Sequence, residues 1–198
     1  MSKLFIETIR IQNRRVCNIK YHQKRFDDTR SAFFPFAKKI NIRNAIDTSL
    51  CKTNMTKCRI TYNDNIVSVE YQEYSMRPIA SLHCVNIDKY DYSYKYLDRP
   101  TLTNLFHQKP ENIDDILIIK NEKVTDTHYA NVAFGDQNNW FTPKEPLLNG
   151  TMRSYLLDKG MIKEKHILQS DIVTFKYITL FNAMIPFGKI KFKTSNII

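Results

Sequence analysis

Lys95 lies in the segment DYSYKYLDR, residues 91–99, with a tyrosine on each side and a third tyrosine three positions earlier. A lysine amine is nucleophilic only when it is neutral, and burial beside aromatic surface lowers its pKa by disfavouring the charged form. Lysine stems also lie over aromatic rings on ordinary protein surfaces. The residues alone therefore leave two interpretations open, a surface lysine and a lysine held in a pocket for its amine chemistry.

Three further segments carry residues that could hold an anion or take part in proton transfer. His22 and Arg25 are three residues apart in YHQKRF, so on a helix they share one face, and an arginine can hold a phosphate or a carboxylate through two hydrogen bonds. In NGTMR, residues 149–153, a glycine precedes a predicted helix whose N-terminus would attract a phosphate. Asp126 and Asn131 stand five residues apart in VTDTHYANVAF. Each of these features also has a purely structural interpretation: helix capping for NGTMR, a turn for Asp126 and a solvent-exposed side chain for Arg25.

The elements that must position these residues are predicted from apolar periodicity and turn signals. In the first half of the chain we predict strands at residues 4–11, 57–63, 66–74 and within 76–85, and a helix at residues 19–34 that Pro35 ends. In the second half we predict a linker at residues 86–91, a helix at 99–108, paired strands within 114–126, a hairpin around GDQNN, a helix from Asn149 or Gly150 to Leu157 followed by Gly160, a short helix capped by Ser170 or Asp171, and strands within 177–192. This order predicts an α+β fold of two lobes with mixed sheets and flanking helices, residues 1–85 and 86–198.

The bulk composition indicates a globular protein. The chain has 198 residues, of which 42% are hydrophobic and 25% charged, which suffices for one large domain or two smaller lobes. No stretch approaches the roughly 20 apolar residues of a membrane span, and the segment MSKLFIETIR lacks a signal-peptide pattern. The four cysteines contain no CxxC pair, which favours reduced thiols over disulfides or zinc. We therefore expect a soluble, cytoplasmic protein without a membrane partner.

The net charge of +10 has three interpretations. It could reflect a solvated lysine-rich surface, arginines that point inward at an anionic small molecule, or nucleic-acid binding. The basic residues are spread along the chain, and no zinc-finger, helix-turn-helix or RNA-recognition signature is present. We therefore expect an anionic small-molecule partner before a nucleic acid, and the scattered histidines give no reason to predict a metal site.

Five motifs in a fixed order resemble those of one enzyme family. The segments YHQKRF, YKYLDR, VTDTHYANVAF, PLLNGTMR and LFNAM are similar to segments of the pyridoxal-phosphate enzymes of aminotransferase class IV, which have fold type IV. The resemblance extends from about residue 4 to residue 187, and although each motif is short, the order makes the combination specific. It implies a two-lobe fold like that of D-amino-acid aminotransferase, pyridoxal 5'-phosphate as cofactor, and a homodimer.

The resemblance also implies a role for individual residues. Lys95 falls on the lysine that bonds covalently to the cofactor, and Asp126 falls on the carboxylate, usually a glutamate, that pairs with the pyridinium nitrogen. Asn131 falls on the asparagine that closes the motif. The cofactor phosphate would be held by Arg25, by the backbone of Gly150, Thr151 and Met152, and by the segment of Asn182 and Ala183. An aspartate is one methylene shorter than the usual glutamate, so this chain departs from the family at that position.

Within the family, LLNGTMR, LFNAM and YKYLDR are more similar to segments of 4-amino-4-deoxychorismate lyase than to those of the aminotransferases. The lyase reaction of folate biosynthesis eliminates pyruvate from 4-amino-4-deoxychorismate and leaves 4-aminobenzoate. That substrate carries two carboxylates, and we expect Arg59 to hold one of them and Tyr94 to line the pocket. Two alternatives stay open at this point, an aminotransferase for D- or branched-chain amino acids and a cofactor-free relative that acts as a binding protein.

Overall fold

The computed structural model describes residues 3–136 and 138–198 and divides the chain into two compact units. The first unit contains the chain through Met76 and the short segment Tyr94–Asp98, and the second contains Arg77–Ser93 and Arg99–Ile198. The boundary expected after residue 85 instead falls inside a strand of the second unit. That strand pairs with a neighbour about thirty residues further along, and a local pattern carries no information about such a pairing.

The first unit is a four-stranded antiparallel sheet covered on one face by a helix. Its strands lie in the order β2-β1-β3-β4. Their bounds are β1 (Phe5–Gln12), β2 (Arg15–Val16), β3 (Met55–Tyr62) and β4 (Ile66–Glu73), and the helix is α1 (Ile19–Phe33). The predicted strand at 4–11, the helix at 19–34 and the hairpin are therefore confirmed.

Alternation along β1 and β3 builds the core of this unit. Phe5, Ile9 and Cys58, Ile60 point to the same face, where they pack with Phe26 of α1. Side chains of a strand alternate between faces, so the intervening residues of both strands lie on the opposite face of the sheet. The candidate residues of this unit are divided between these two faces.

The second unit is built around an eight-stranded mixed sheet. Its elements are β5 (Leu82–Asn86), α2 (Pro100–His107), β6 (Asp115–Lys120), β7 (Lys123–Thr127), β8 (Asn131–Gly135), β9 (Trp140–Pro143), α3 (Thr151–Asp158), β10 (Lys163–Lys165), β11 (Tyr177–Phe181) and β12 (Ile190–Lys193). The strands β5 and β6 and the strands β9 and β10 pair in parallel, whereas the other pairs are antiparallel. Mixed sheets with few helices agree with the predicted α+β class.

Two local predictions differ from the structure. The short helix near residue 170 is a 3₁₀ turn over Gln169–Thr174 whose cap residue is Leu168, because the carboxylate of Asp171 accepts the Leu168 backbone N–H. Of the aromatic residues after α1, Phe34 joins the core of the first unit, whereas Phe36 is fully exposed.

Two further observations concern the thiols and the helices of the described part of the chain. All four cysteines are present as thiols without disulfide partners. No helix within residues 3–136 and 138–198 is both long enough and apolar enough to span a membrane.

Candidate active site

Asp126 is a buried carboxyl that two neighbouring groups hold in place. Its side chain is 5% exposed. Its Oδ1 accepts a hydrogen bond of 2.8 Å from Asn131 Nδ2, and its Oδ2 accepts one of 2.9 Å from the backbone N–H of Leu148. Asp126 and Asn131 are direct register partners across the β7–β8 hairpin. The four residues between them form the turn that brings the two side chains together.

Asn131 connects this hairpin to the start of α3. Besides its bond to Asp126, its Nδ2 donates to the carbonyl oxygen of Leu148 at 2.9 Å. Its Oδ1 lies so close to Gly150 that a Cβ on that glycine would be 1.9 Å away. The glycine of the NGTMR motif is therefore required by the approach of the asparagine side chain. The motifs of Asp126 and Gly150, far apart in the sequence, form one arrangement.

Replacing Gly150 by alanine is expected to destabilise the protein by about 1–3 kcal/mol, since the new methyl group would overlap Asn131 Oδ1. Denaturant unfolding of the wild type and the variant measures this cost. The double variant Gly150→Ala/Asn131→Gly removes the colliding side chain. Adding Asn131→Gly should therefore cost less in the alanine background than in the wild type. Equal costs in both backgrounds would show that the collision does not determine the effect.

The electrostatics of Asp126 suit a cationic partner. Burial raises the pKa of its carboxyl to about 6, although the hydrogen bonds from Leu148 and Asn131 favour the ionised form. A carboxylate offers about four acceptor positions, and these two donors occupy one on each oxygen. A protonated ring nitrogen could therefore donate a further hydrogen bond to Asp126 and compensate its charge. The residues present thus fit the pyridinium partner that the resemblance implies.

The N-terminus of α3 is a suitable seat for a phosphate. The helix begins at Thr151, and its cap residue Gly150 contributes no side-chain hydrogen bond. The buried Arg153 anchors the helix, because its Nη2 donates to Pro143 O at 2.9 Å and to Glu164 Oε1 at 2.7 Å. Helix N-termini attract anions through the dipole and the backbone N–H groups of the first turn.

Asn182 has a structural role that the sequence did not predict. Its Oδ1 accepts the backbone N–H groups of Met184 and Ile185, at 2.8 and 3.0 Å, and so closes the turn after β11. Its Nδ2 donates to Tyr129 O at 3.2 Å, in the loop that leads to Asn131. The contacts of Asn182 and Ala183 with a phosphate stay predictions.

In the first unit, Lys95 is fixed beside the start of β1. The backbone N–H of Ile6 donates to Lys95 O at 2.9 Å, and Phe5 and Tyr96 form an antiparallel bridge. This register sets Lys95 opposite Ile6, and after burial and the charge of Arg25, the charge of Lys95 also lowers the pKa of His22 on α1.

The tyrosines on either side of Lys95 pack in the core of the first unit. Tyr96 packs on Phe5, with ring centroids 5.1 Å apart, and Tyr94 packs edge-on against Phe33 at 4.8 Å. Both rings join the core cluster of the first unit, and the backbone N–H of Tyr96 donates to Tyr94 O at 3.0 Å, so the segment turns tightly at Lys95. This packing accounts for Tyr94, and its contact with a substrate stays a prediction.

Arg25 and His22 do share one face of α1, and there they meet a residue that the motif analysis did not single out. Glu7 of β1 is fully buried and accepts two hydrogen bonds from Arg25, from Nε at 2.8 Å and from Nη2 at 2.7 Å. Its Oε2 lies 2.5 Å from His22 Nδ1. The signal for Glu7 was an acidic residue at a core-facing position of an otherwise apolar alternation.

Charge balance explains how this group is tolerated in the core. Burial alone would raise the pKa of the Glu7 carboxyl, but the charge of Arg25 and the hydrogen bonds from His22 and Arg25 lower it to about 2. Burial lowers the pKa of His22, so the imidazole is neutral and donates its Nδ1 proton to Glu7. Nε and Nη2 of Arg25 are used by Glu7, so a phosphate would be met by other N–H groups of the guanidinium.

Arg59 lies in β3 opposite Thr8 of β1, on the sheet face away from α1. Arg59 is partly buried, and within residues 3–136 and 138–198 it forms no ion pair with an aspartate or glutamate of its own unit. Its position agrees with an anion-binding role, and its contact with a substrate stays a prediction.

The chain is similar to one family along most of its length. A family model described as amino-transferase class IV matches residues 4–191. An uncharacterized protein of Haemophilus influenzae is 38% identical over 181 residues, which cover 90% of this chain and 96% of that protein. A Schizosaccharomyces pombe protein described as a "putative aminodeoxychorismate lyase" is 40% identical over 75 residues, 35% of this chain and 32% of that protein.

Solved structures give the same result. A crystal structure from Haemophilus somnus 129PT, described as a "putative 4-amino-4-deoxychorismate lyase", is 34% identical and superposes with a TM-score of 0.87, covering 93% of this chain and 98% of its own. A Mycobacterium tuberculosis structure, described as the PLP-bound form of a hypothetical aminotransferase, has a TM-score of 0.80 at 14% identity, covering 95% of this chain and 80% of its own. At that identity the second likeness concerns the fold alone.

Proposed function

We propose, since this chain belongs to the class IV aminotransferases, that it is a pyridoxal-phosphate enzyme that eliminates pyruvate from 4-amino-4-deoxychorismate and releases 4-aminobenzoate. The observation that carries the proposal is the likeness to the Haemophilus somnus structure, which extends over nearly the full length of both chains at 34% identity. The five motifs, and their resemblance to the lyase branch of the family, support the same choice.

The residues of each unit have distinct roles in this proposal. In the first unit, Lys95 would hold the cofactor covalently and Arg25 would bind its phosphate. In the second unit, Asp126 would keep the ring nitrogen protonated, with Asn131 holding its carboxylate, and the N-terminus of α3 would bind the phosphate. When bound, pyridoxal phosphate supplies an electron sink for the C–H bond that breaks at the carbon bearing the substrate nitrogen.

Lys95 would also move the proton of the reaction. Its neutral amine takes the proton from the ring carbon that bears the nitrogen, and the bond between the ring and the enolpyruvyl oxygen breaks. The proton is then delivered to the departing enolpyruvyl group, which leaves as pyruvate, while the ring becomes aromatic. No oxidant or reductant is needed, because the atoms of the substrate equal those of the two products.

An aminotransferase for D- or branched-chain amino acids is the second candidate. The description of the matching family favours it, because that description is of amino-group transfer. The two candidates differ in their products, since a transferase converts an amino acid to a keto acid while a second keto acid is aminated. We further propose a homodimer and a cytoplasmic location, the latter being the compartment that keeps four thiols reduced.

Product analysis tests the proposal. Purified protein is loaded with pyridoxal phosphate and incubated with 4-amino-4-deoxychorismate, and 4-aminobenzoate and pyruvate are quantified by chromatography. We expect the two products in equal amounts and no keto acid formed from added D-alanine or L-leucine with 2-oxoglutarate. Amino-group transfer without 4-aminobenzoate would replace the lyase by the second candidate. A protein that acquires no cofactor absorbance would exclude both.

A further inference from the structure

The turn at residues 127–130 connects β7 to β8 and is flanked by Asp126 and Asn131, so its shape determines where the Asp126 carboxyl lies. In the part of the chain that the structure describes, β7 and β8 share this one register pair, whereas β8 and β11 share five. The base of the turn is closed by the Thr127 N–H, which donates to Ala130 O at 2.9 Å, and by the Ala130 N–H, which donates to Thr127 Oγ1 at 3.1 Å. So short a ladder does little by itself to fix the position of Asp126.

The two carbonyl groups at the tip of this turn are bonded by side chains of distant elements. Arg99 Nη1 donates to His128 O at 2.8 Å, and Asn182 Nδ2 donates to Tyr129 O at 3.2 Å. Carbonyl groups at the tip of a hairpin are ordinarily satisfied by water, because turns lie at the surface. Here two consecutive carbonyls are held by two side chains, and we call Arg99 and Asn182 the turn clamp.

Each residue of the turn clamp is fixed by its own element. Arg99 is the cap residue of α2, and its carbonyl oxygen accepts the backbone N–H of Thr103 at 3.1 Å. The Oδ1 of Asn182 accepts the backbone N–H groups of Met184 and Ile185, which fixes the orientation of its amide. Side chains that are held in this way hold in turn the groups to which they bond.

Aromatic packing supports the same turn. Phe106 of α2 stacks on the His128 ring, with centroids 4.5 Å apart and an interplanar angle of 19°. The Arg77 guanidinium lies 5.2 Å from the ring centroid of Phe106 and 5.7 Å from that of Tyr129. Burial, and then the charges of Arg99 and Arg77, lower the pKa of His128 to about 3. The imidazole is therefore neutral at pH 7 and stays packed against Phe106 as an uncharged ring.

We infer that Arg99 and Asn182 are positioning residues for Asp126, which hold the turn so that the carboxylate meets the ring nitrogen of the cofactor. The inference rests on the proposed function for the identity of the cofactor. A group that contacts a cofactor has to be held within about 0.5 Å of its working position, and the turn clamp supplies the restraint that a ladder of one pair lacks. Arg99 ends the motif YKYLDR, but the resemblance implied no role for it.

A matched analogue isolates the contact that Asp126 makes. In this analogue of pyridoxal phosphate a C–H group replaces the ring nitrogen, so it keeps the aldehyde and the phosphate but cannot donate to Asp126. The ratio of the two affinities therefore measures the contact with Asp126, because changes at the phosphate site or at Lys95 alter both affinities alike. We expect the wild type to prefer pyridoxal phosphate at least about ten-fold, since a hydrogen bond between charged groups is among the strong ones.

Absorbance titration of the full chain, freed of cofactor, with each of the two compounds tests the inference. Arg99→Met removes the donor and keeps most of the length of the side chain. Asn182→Asp keeps the acceptor for the N–H groups of Met184 and Ile185 but loses the donor to Tyr129 O. In both variants we expect the affinity ratio to fall at least about five-fold, towards equal binding of the two compounds. Arg99→Lys keeps a charged donor and should retain more of the preference than Arg99→Met does.

Lys109→Met is the matched control. Its ammonium lies 5.3 Å from the ring centroid of Phe106, so this variant removes a cation from the same neighbourhood, and among the described residues Lys109 has no hydrogen bond to the turn. It should show the affinity ratio of the wild type. A folded Arg99→Met or Asn182→Asp variant that keeps the wild-type ratio would overturn the inference. Thermal unfolding identifies a variant that does not fold, and the other variant of the turn clamp then decides.

The inference and the proposed function fail in different experiments. If the wild type makes no 4-aminobenzoate but prefers pyridoxal phosphate to the analogue, and Arg99→Met loses that preference, the reaction is another one and the turn clamp stands. If the wild type makes 4-aminobenzoate while the affinity ratio is the same in Arg99→Met and Lys109→Met, the function stands and the turn clamp is wrong.

Discussion

Replacing Lys95 by alanine is expected to abolish the covalent attachment of pyridoxal phosphate and to lower turnover at least about a thousand-fold. The alanine variant lacks both the nucleophile that holds the cofactor and the amine that moves the proton. Borohydride reduction followed by mass spectrometry measures attachment, because reduction fixes the cofactor to the lysine that carries it. The wild type should gain the mass of one reduced cofactor on the peptide that contains Lys95.

Lys89 provides the matched control for this experiment. It lies six residues earlier and is exposed, so Lys89→Ala removes one amine without touching the candidate site. This variant should keep the cofactor mass and the turnover of the wild type. A cofactor that is still fixed in Lys95→Ala, on any other lysine, would show that the motif YKYLDR was assigned wrongly.

Replacing Glu7 by glutamine is expected to lower the free energy of unfolding by about 3 kcal/mol at pH 7. Glutamine keeps the shape of the side chain but turns an NH₂ group towards donors of Arg25 and His22, and it leaves the buried guanidinium without a counter-charge. Removing one partner of a buried ion pair commonly costs about 3–5 kcal/mol. Denaturant unfolding measures the loss, and Asp28→Asn is the control. Its pair with Lys24 is exposed and should contribute less than about 1 kcal/mol.

The same substitution has a defined pH dependence. The folded-state pKa of Glu7 is lowered from 4.5 to about 2, so its stabilising contribution is fully present above about pH 4.5 and is lost as the pH falls towards 2. The difference in unfolding free energy between the wild type and Glu7→Gln should therefore be constant from pH 7 to pH 5 and shrink in more acidic buffer. A difference that does not change between pH 5 and pH 3 would mean that packing, and not charge, is lost.

Local patterns in the sequence predicted the elements that are stabilised locally. The alternation in LFIETIRI predicted β1, and the spacing of apolar residues up to Pro35 predicted α1. The signals that predicted paired strands within 114–126 likewise correspond to β6 and β7, which pair through a short turn. These features depend on neighbours within a few residues, so the sequence carries their signal.

Features that depend on distant pairing could not be predicted in this way. Lys95 belongs to the first unit because its segment pairs with β1 across about ninety residues. Glu7 and Arg10 lie on opposite faces of β1. Glu7 is the one that is fully buried because α1 packs on its face, and the strand pattern alone does not say on which face a helix packs. Motif resemblance indicated Lys95, but it gave no indication of what lies beside it.

The segment Tyr94–Asp98 has a consequence for any attempt to divide the protein. The chain passes from one unit to the other after Met76, after Ser93 and after Asp98, so no single cut yields two continuous fragments that match the units. A fragment ending before Tyr94 would lack the segment that pairs with the start of β1, and that part of the strand would become an uncovered sheet edge. Because β1 and this segment pair in register, exchanging either of them for that of a relative would also have to preserve this pairing.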